Sequence, residues 1–159
     1  MITIFFLNSR SNHFLGMKNL LDKLNYKGQT RIAIINAEDN YRLSLTNELK
    51  DVRTDTEIDQ RYPYEFMIFF VKRISEVEKL SPVALHNLSA DGILWFCYPK
   101  KSSKKYISDI DRDHGWNALN DSNFYGIRVV AVDDDWSAMR FRNIRYIKST
   151  SGRYPTGRK

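Results

Sequence analysis

The chain has 159 residues, 42% of them hydrophobic and 28% charged, enough for one domain with a packed core and too few for two. No apolar run approaches the roughly 20 residues that cross a bilayer, and the short opening run over residues 2–7 has no basic segment before it; a membrane span, a membrane partner and a signal peptide are all unexpected, and the cytoplasm is the expected location. The formal net charge of +6 is concentrated, because Arg140, Arg142, Arg145, Lys148, Arg153, Arg158 and Lys159 come after Trp136 with no Asp or Glu among them, which suits either a polyanion such as nucleic acid or a charge-guarded edge strand with a soluble tail.

Residues 1–16 fit poorly with the pattern that begins at Met17 and read as an N-terminal extension, either a loosely attached piece or sequence ahead of a natural start at Met17. From Met17, Leu20, Leu21 and Leu24 recur at helical spacing, and Lys27-Gly28-Gln29 closes that helix. Residues 31–36, R-I-A-I-I-N, form the first buried strand. Asn40 is the expected N-cap of a helix through Leu43, Leu45 and Leu49. Residues 52–58 alternate weakly and read as an edge strand, whereas 64–71, Y-E-F-M-I-F-F-V, read as a strand buried on both faces. Residues 75–88 carry Val77, Leu80, Ala84, Leu85 and Leu88 on one helical face, with Pro82 kinking or restarting the helix.

The next stretch organises the rest. Asp91-Gly92 is a turn signal, 93–98 (I-L-W-F-C-Y) is a central strand, and Pro99 ends its ladder because it has no N–H to donate. Lys100, Lys101, Lys104 and Lys105 come directly after it. Ser108 with Asp111 reads as a capping box opening a helix towards Leu119 that carries His114, a surface residue. Residues 126–132 and 136–147 are strands joined by a turn at Asp133-Asp134-Asp135, hence an antiparallel hairpin. Residues 149–159 are Ser, Thr, Gly, Pro and basic residues, expected to be disordered.

Strands alternating with helices predict an α/β fold: a Rossmann-like, mainly parallel sheet flanked by helices. Counting strands from Arg31, the expected order is 2-1-3-4-6-5, with a C-terminal antiparallel hairpin whose last strand runs against the others. The single domain spans 17–148.

In such a sheet ligands favour the crevice beyond the strand ends where the order reverses. A phosphate-cradling first loop would carry glycines; this chain has Asn36-Ala37-Glu38-Asp39-Asn40 there, and no glycine between Gly28 and Gly92. Dinucleotide binding is therefore disfavoured, S-adenosylmethionine binding is weakened, and no cofactor is expected. Glu38 or Asp39 could meet a ribose hydroxyl, although a solvated carboxylate at a helix start is the commoner case. Lys72 and Arg73 after the third strand, with Tyr98, Lys100 and Lys101 after the fourth, could converge on a small anionic ligand. The three adjacent carboxylates at 133–135 suit a turn better than a metal, since neighbours in an extended chain cannot all face one ion. No metal site is expected. Cys97, the single cysteine, has no internal disulfide partner and reads as a core thiol in a reducing compartment. The Trp136 indole is expected to bury against the sheet where the hairpin reverses.

Gly92-Ile93-Leu94-Trp95-x-x-Tyr98-Pro99-Lys100-Lys101 and Ala131-Val132-Asp133-x-x-Trp136-Ser137-x-Met139 resemble the motifs of a small bacterial family known only as a domain of unknown function. The similarity runs from about Met17 to Arg142. The resemblance implies a compact α/β fold similar to a methyltransferase core with an element missing, and brings no activity, substrate or cofactor. The chain departs from that family in its first sixteen residues, its basic tail, and Asn36-Ala37 where members often keep a glycine. Three functions stand as expectations: a non-catalytic or accessory domain binding an anion or partner at the strand-end lysines, a degenerate S-adenosylmethionine-dependent methyltransferase-like enzyme, or a nucleic-acid-associated protein using its basic C-terminal segment. The oligomeric state is left open.

Overall fold

The computed structural model describes residues 20–47 and 49–148; the expected extension over 1–16, the start of the first helix and the basic tail over 149–159 lie outside them. Six strands form one sheet: β1 (Arg31–Ile35), β2 (Arg53–Asp55), β3 (Tyr64–Phe70), β4 (Leu88–Pro99), β5 (Phe124–Ala131) and β6 (Trp136–Asn143). Their order is β2-β1-β3-β4-β6-β5, with β2, β1, β3 and β4 mutually parallel and β6 antiparallel to both its neighbours. That is the expected order and the expected hairpin. Among the described residues, α1 (Asp39–Thr46), α2 (Ile74–Asn87) and α3 (Asn117–Asn120) accompany the sheet, together with the helical residues 20–23.

The two-sided apolar strands work because alternate residues enter different layers. Ile32, Ile34, Phe66, Ile68, Phe70, Ile93, Trp95 and Cys97 face a layer closed by Leu20, Leu21, Leu24, Tyr41 and Leu45. Ala33, Ile35, Met67, Phe69, Leu94, Phe96 and Tyr98 face the other, closed by Val77 and Ala84 of α2 with Ile110, Trp116 and Leu119. Each large apolar side chain buried this way contributes about 1.5–3 kcal/mol. The helical turn over 20–23 is fastened by more than apolar contact: the buried Trp95 Nε1–H donates to the Leu24 carbonyl at 2.8 Å, and Tyr26 meets Phe66 edge-on. Among the described residues no helix is long and apolar enough to cross a membrane.

Several local expectations fail for identifiable reasons. Asp91-Gly92 is no turn between elements: β4 begins at Leu88, directly after α2, and runs through both residues. Asp91 takes a left-handed φ of 53° where the β3–β4 register shifts between Tyr64 and Phe66, so the turn-forming pair serves a bulge inside a strand. Asn40 is not the cap; α1 starts at Asp39 after an extended Glu38. Pro82 does not restart the helix: α2 runs through it to Asn87. The capping box at Ser108 also fails. Ser108 Oγ donates to the Lys72 carbonyl at 2.7 Å and accepts from the Ile110 N–H at 3.0 Å, while residues 111–114 close a tight turn through paired backbone bonds between Asp111 and His114. Helix α3 is thereby reduced to one turn, and His114 lies before it rather than in it. The last strand stops at Asn143 rather than 147, and a 3-10 turn over Ile144–Tyr146 comes next.

Candidate functional site

The carboxyl ends of β1, β3 and β4 form one rim of the sheet, and the order reverses between β1 and β3. Chain leaving β1 turns through Asn36, whose positive φ of 63° is tolerated by a short polar side chain. That turn sends Glu38 across the rim. Its carboxylate accepts from the Tyr106 phenol at 2.5 Å and lies 3.7 Å from the Lys72 ammonium. Lys72 Nζ also sits 5.0 Å from the centre of the Tyr106 ring. One carboxylate, one ammonium and one phenol therefore bridge the exits of β1 and β3 to the loop after β4.

Behind this bridge the wall is aromatic. Tyr106 packs on Trp136 with ring centres 5.0 Å apart, and Trp136 meets Phe70 at 5.2 Å and Tyr41 at 6.1 Å. The Tyr41 hydroxyl donates to Asp133. Asp133 also accepts from the backbone N–H groups of Asp135 and Trp136 at 2.8 and 2.9 Å, and Asp135 accepts from Ser103 Oγ at 2.7 Å. The acidic triplet is thus the structural centre of the β5–β6 turn. Burial, and then the neighbouring carboxylates, push the phenols of Tyr41 and Tyr106 above their ordinary range, so both remain hydrogen-bond donors at neutral pH. Trp136 is buried as expected, its indole against the Tyr106 ring.

The residues singled out from sequence scatter in role. Glu38 and Lys72 come together. Arg73 is exposed at the start of α2, where the Glu76 carboxylate accepts the backbone N–H groups of Lys72 and Arg73 at 2.6 and 3.1 Å; a guanidinium has no acceptor, so the capping contact here comes from Glu76. Asp39 is exposed and pairs with Arg42, one turn along, at 3.0 Å. Asn36 is exposed beside the rim. Lys100 is half-buried, its N–H bonded to the Asp135 carbonyl at 2.8 Å. Lys101 reaches outward to Asp111 at 3.0 Å. Tyr98 points into the core beneath Trp116, ring centres 5.4 Å apart, and burial raises its phenol. Tyr106 is the residue that sequence reasoning passes over: a lone aromatic between a lysine run and an exposed Ile107, with no periodicity to place it.

A bound S-adenosylmethionine or dinucleotide would need this same crevice, and two features of the residues present weigh against one. The first loop offers no glycine for close approach, and it presents Glu38, an anion, where a cofactor's carboxylate or phosphate would approach. The neighbouring edge strand β2 ends at Asp55, level with Ala33 and short of the rim. The Asp55 carboxylate is taken by Arg31 at 2.8 Å, Arg53 at 3.1 Å and the Tyr64 phenol, leaving no free carboxylate of β2 for a ribose.

No family model and no curated protein sequence matches the chain. Solved structures do. The N-methyltransferase NodS from Bradyrhizobium japonicum WM9, in complex with S-adenosyl-L-homocysteine, is similar over 85% of this chain and 87% of its own, at 10% identity and a TM-score of 0.50. A SAM-dependent methyltransferase from Aquifex aeolicus is similar over 79% of this chain and 88% of its own, at 14% identity and a TM-score of 0.52. Phosphoethanolamine N-methyltransferase 2 from Haemonchus contortus, in complex with S-adenosyl-L-methionine, reaches a TM-score of 0.54 at 16% identity; the similarity covers 80% of this chain and 37% of that larger protein. The fold is methyltransferase-like. At these identities the likeness speaks for the arrangement of the chain and leaves its chemistry to the residues.

Proposed function

We propose that this methyltransferase-like domain is a non-catalytic or accessory binding module, and that its ligand is a small anion met at the rim by Lys100, Lys101 and Arg73. The observation that carries the non-catalytic part is the bridge of Glu38, Lys72 and Tyr106 across the exits of β1 and β3. It sets the protein's own charges and rings across the crevice. The lysine-rich loop after β4 supplies cations beyond that bridge, with Lys104 and Lys105 also exposed.

The second reading is a degenerate methyltransferase-like enzyme that uses S-adenosylmethionine. The fold favours it. It would require Tyr106 and Glu38 to swing clear.

A thermal-shift comparison separates the two. At 1 mM ligand and a Kd near 10 μM, stabilisation would be about 2.7 kcal/mol, a shift of several degrees. Tripolyphosphate is expected to raise Tm, and a Lys100→Ala/Lys101→Ala variant is expected to lose that rise, whereas S-adenosylmethionine leaves Tm unchanged. A rise with S-adenosylmethionine would establish the enzyme-like reading instead. No rise with tripolyphosphate would remove the anion.

A further inference from the structure

We propose that the sheet surface carrying Arg128, Arg140 and Arg142, at the opposite end from the strand-exit rim, binds the phosphate backbone of a nucleic acid. In the β5–β6 ladder Arg128 lies directly across from Arg140, and Arg142 is the next residue of β6 on the same side. Like charges set opposite one another on a sheet are destabilising, so this pair calls for a counter-charge.

The described residues do not supply enough of it. Asp91 is held by Arg142, accepting from Nε at 2.8 Å and from the terminal nitrogen at 2.6 Å. Arg140 is half-buried, and its Nε lies out of contact with water and without a hydrogen-bond partner among the described residues. Burial, and then the field of Arg142, with Arg128 adding to it, disfavour the charge on Arg140, and Asp91 offsets them only in part. A buried guanidinium nitrogen left unpaired is costly. Residues 1–19 contain Arg10 and Lys18, residues 149–159 contain Arg153, Arg158 and Lys159, and neither segment has an Asp or Glu.

A surface this short of negative charge suits an external polyanion, and two features favour a polymer over a small ion. The basic surface is long: from Arg140 and Arg142 of β6 it continues through exposed Arg145 and Lys148. Flat rings are interleaved with it. Tyr125 sits across the ladder from Arg142, and the Tyr146 ring centre is 5.9 Å from the Arg142 guanidinium. A cleft of about 280 Å³ lined by Leu88, Asp91, Phe124, Arg142, Arg145 and Tyr146 among others opens at this end of the sheet. Positive charge tracking a backbone, with aromatic faces beside it, is how proteins hold single strands without reading sequence.

The test is fluorescence anisotropy of the full chain with fluorescein-labelled 20-nucleotide single-stranded DNA and RNA of mixed sequence, from 50 to 300 mM NaCl. Binding is expected at 50 mM, falling steeply with salt. An Arg128→Ala/Arg140→Ala variant with unchanged fold by circular dichroism should bind at least tenfold more weakly. Its log–log salt slope should be shallower by about 1.4, two contacts at about 0.7 each. Arg128→Lys/Arg140→Lys should retain the slope, which guards against a mere folding effect. The proposal fails if neither oligonucleotide binds at 50 mM. It also fails if the alanine variant keeps the wild-type slope while deletion of residues 149–159 abolishes it, or if labelled poly-glutamate of equal charge binds as tightly, which would indicate an acidic protein partner.

Discussion

Glu38 illustrates how much of a residue's role is decided by what crosses over to meet it. Its place after the first strand is legible in the sequence; its engagement by Tyr106 and Lys72 is not, because Tyr106 lies 68 residues away in a loop without periodicity. Gly126 shows the converse, a residue whose smallness is forced by a neighbour. A Cβ there would come within 2.2 Å of Met139 Sδ, on the adjoining strand. Met139 is flexible but almost fully buried, so it has little room to yield. Gly126→Ala is expected to cost about 1–3 kcal/mol by overpacking, read as a lower urea midpoint with the m-value unchanged. Nothing in the sequence marks this glycine, since the contact depends on the β5–β6 register.

At the scale of elements, legibility tracks the strength of the apolar pattern. Strands β1, β3 and β4 are apolar on both sides and are readable as buried strands, and α2 carries a clear helical stripe. The segment between β4 and β5 is polar and irregular, and its organisation rests on side chains answering distant backbone: Ser108 to the Lys72 carbonyl and Asp109 to the Ile74 N–H at 2.8 Å. A capping signature of two residues cannot anticipate such partners. Attachment of the 20–24 turn makes a sharper test. Trp95→Phe keeps an aromatic ring but leaves the Leu24 carbonyl without its donor. A loss of about 1–3 kcal/mol is expected, and hydrogen exchange should rise first at the amides of Leu24 and Tyr26, whose backbone bonds close that turn.

For the molecule as a whole, strand order and the antiparallel hairpin come from alternation and short connections, which leave few topologies open. Charge distribution then sets the response to acid. Asp91 is held below the ordinary carboxylate range by Arg142, and Asp59 by the Arg61 N–H and Arg31. For Asp55, burial acts upwards but is outweighed by Tyr64, Arg31 and Arg53. For Asp111, burial is likewise outweighed, by His114, the Asp113 N–H and Lys101. Each of these groups has a folded pKa below its unfolded value of about 3.9. Its contribution is therefore complete above that value and disappears as pH falls through the lower folded pKa. Urea midpoints should hold their Asp-dependent component from pH 7 to about 5 and decline below about 4, and Asp91→Asn should make that decline shallower. A midpoint insensitive to acid would contradict the ion pairs.

The position of β6 between β4 and β5 has a consequence for the growing polypeptide. Until Trp136–Asn143 has been synthesised, one side of β4 has no hydrogen-bonding neighbour along Leu94–Pro99, and β5 lacks the strand it pairs with. A nascent chain halted in that interval displays an open apolar edge, the kind of template on which other chains stack. The arrival of β6 covers both at once, so solubility during biogenesis hangs on that one segment.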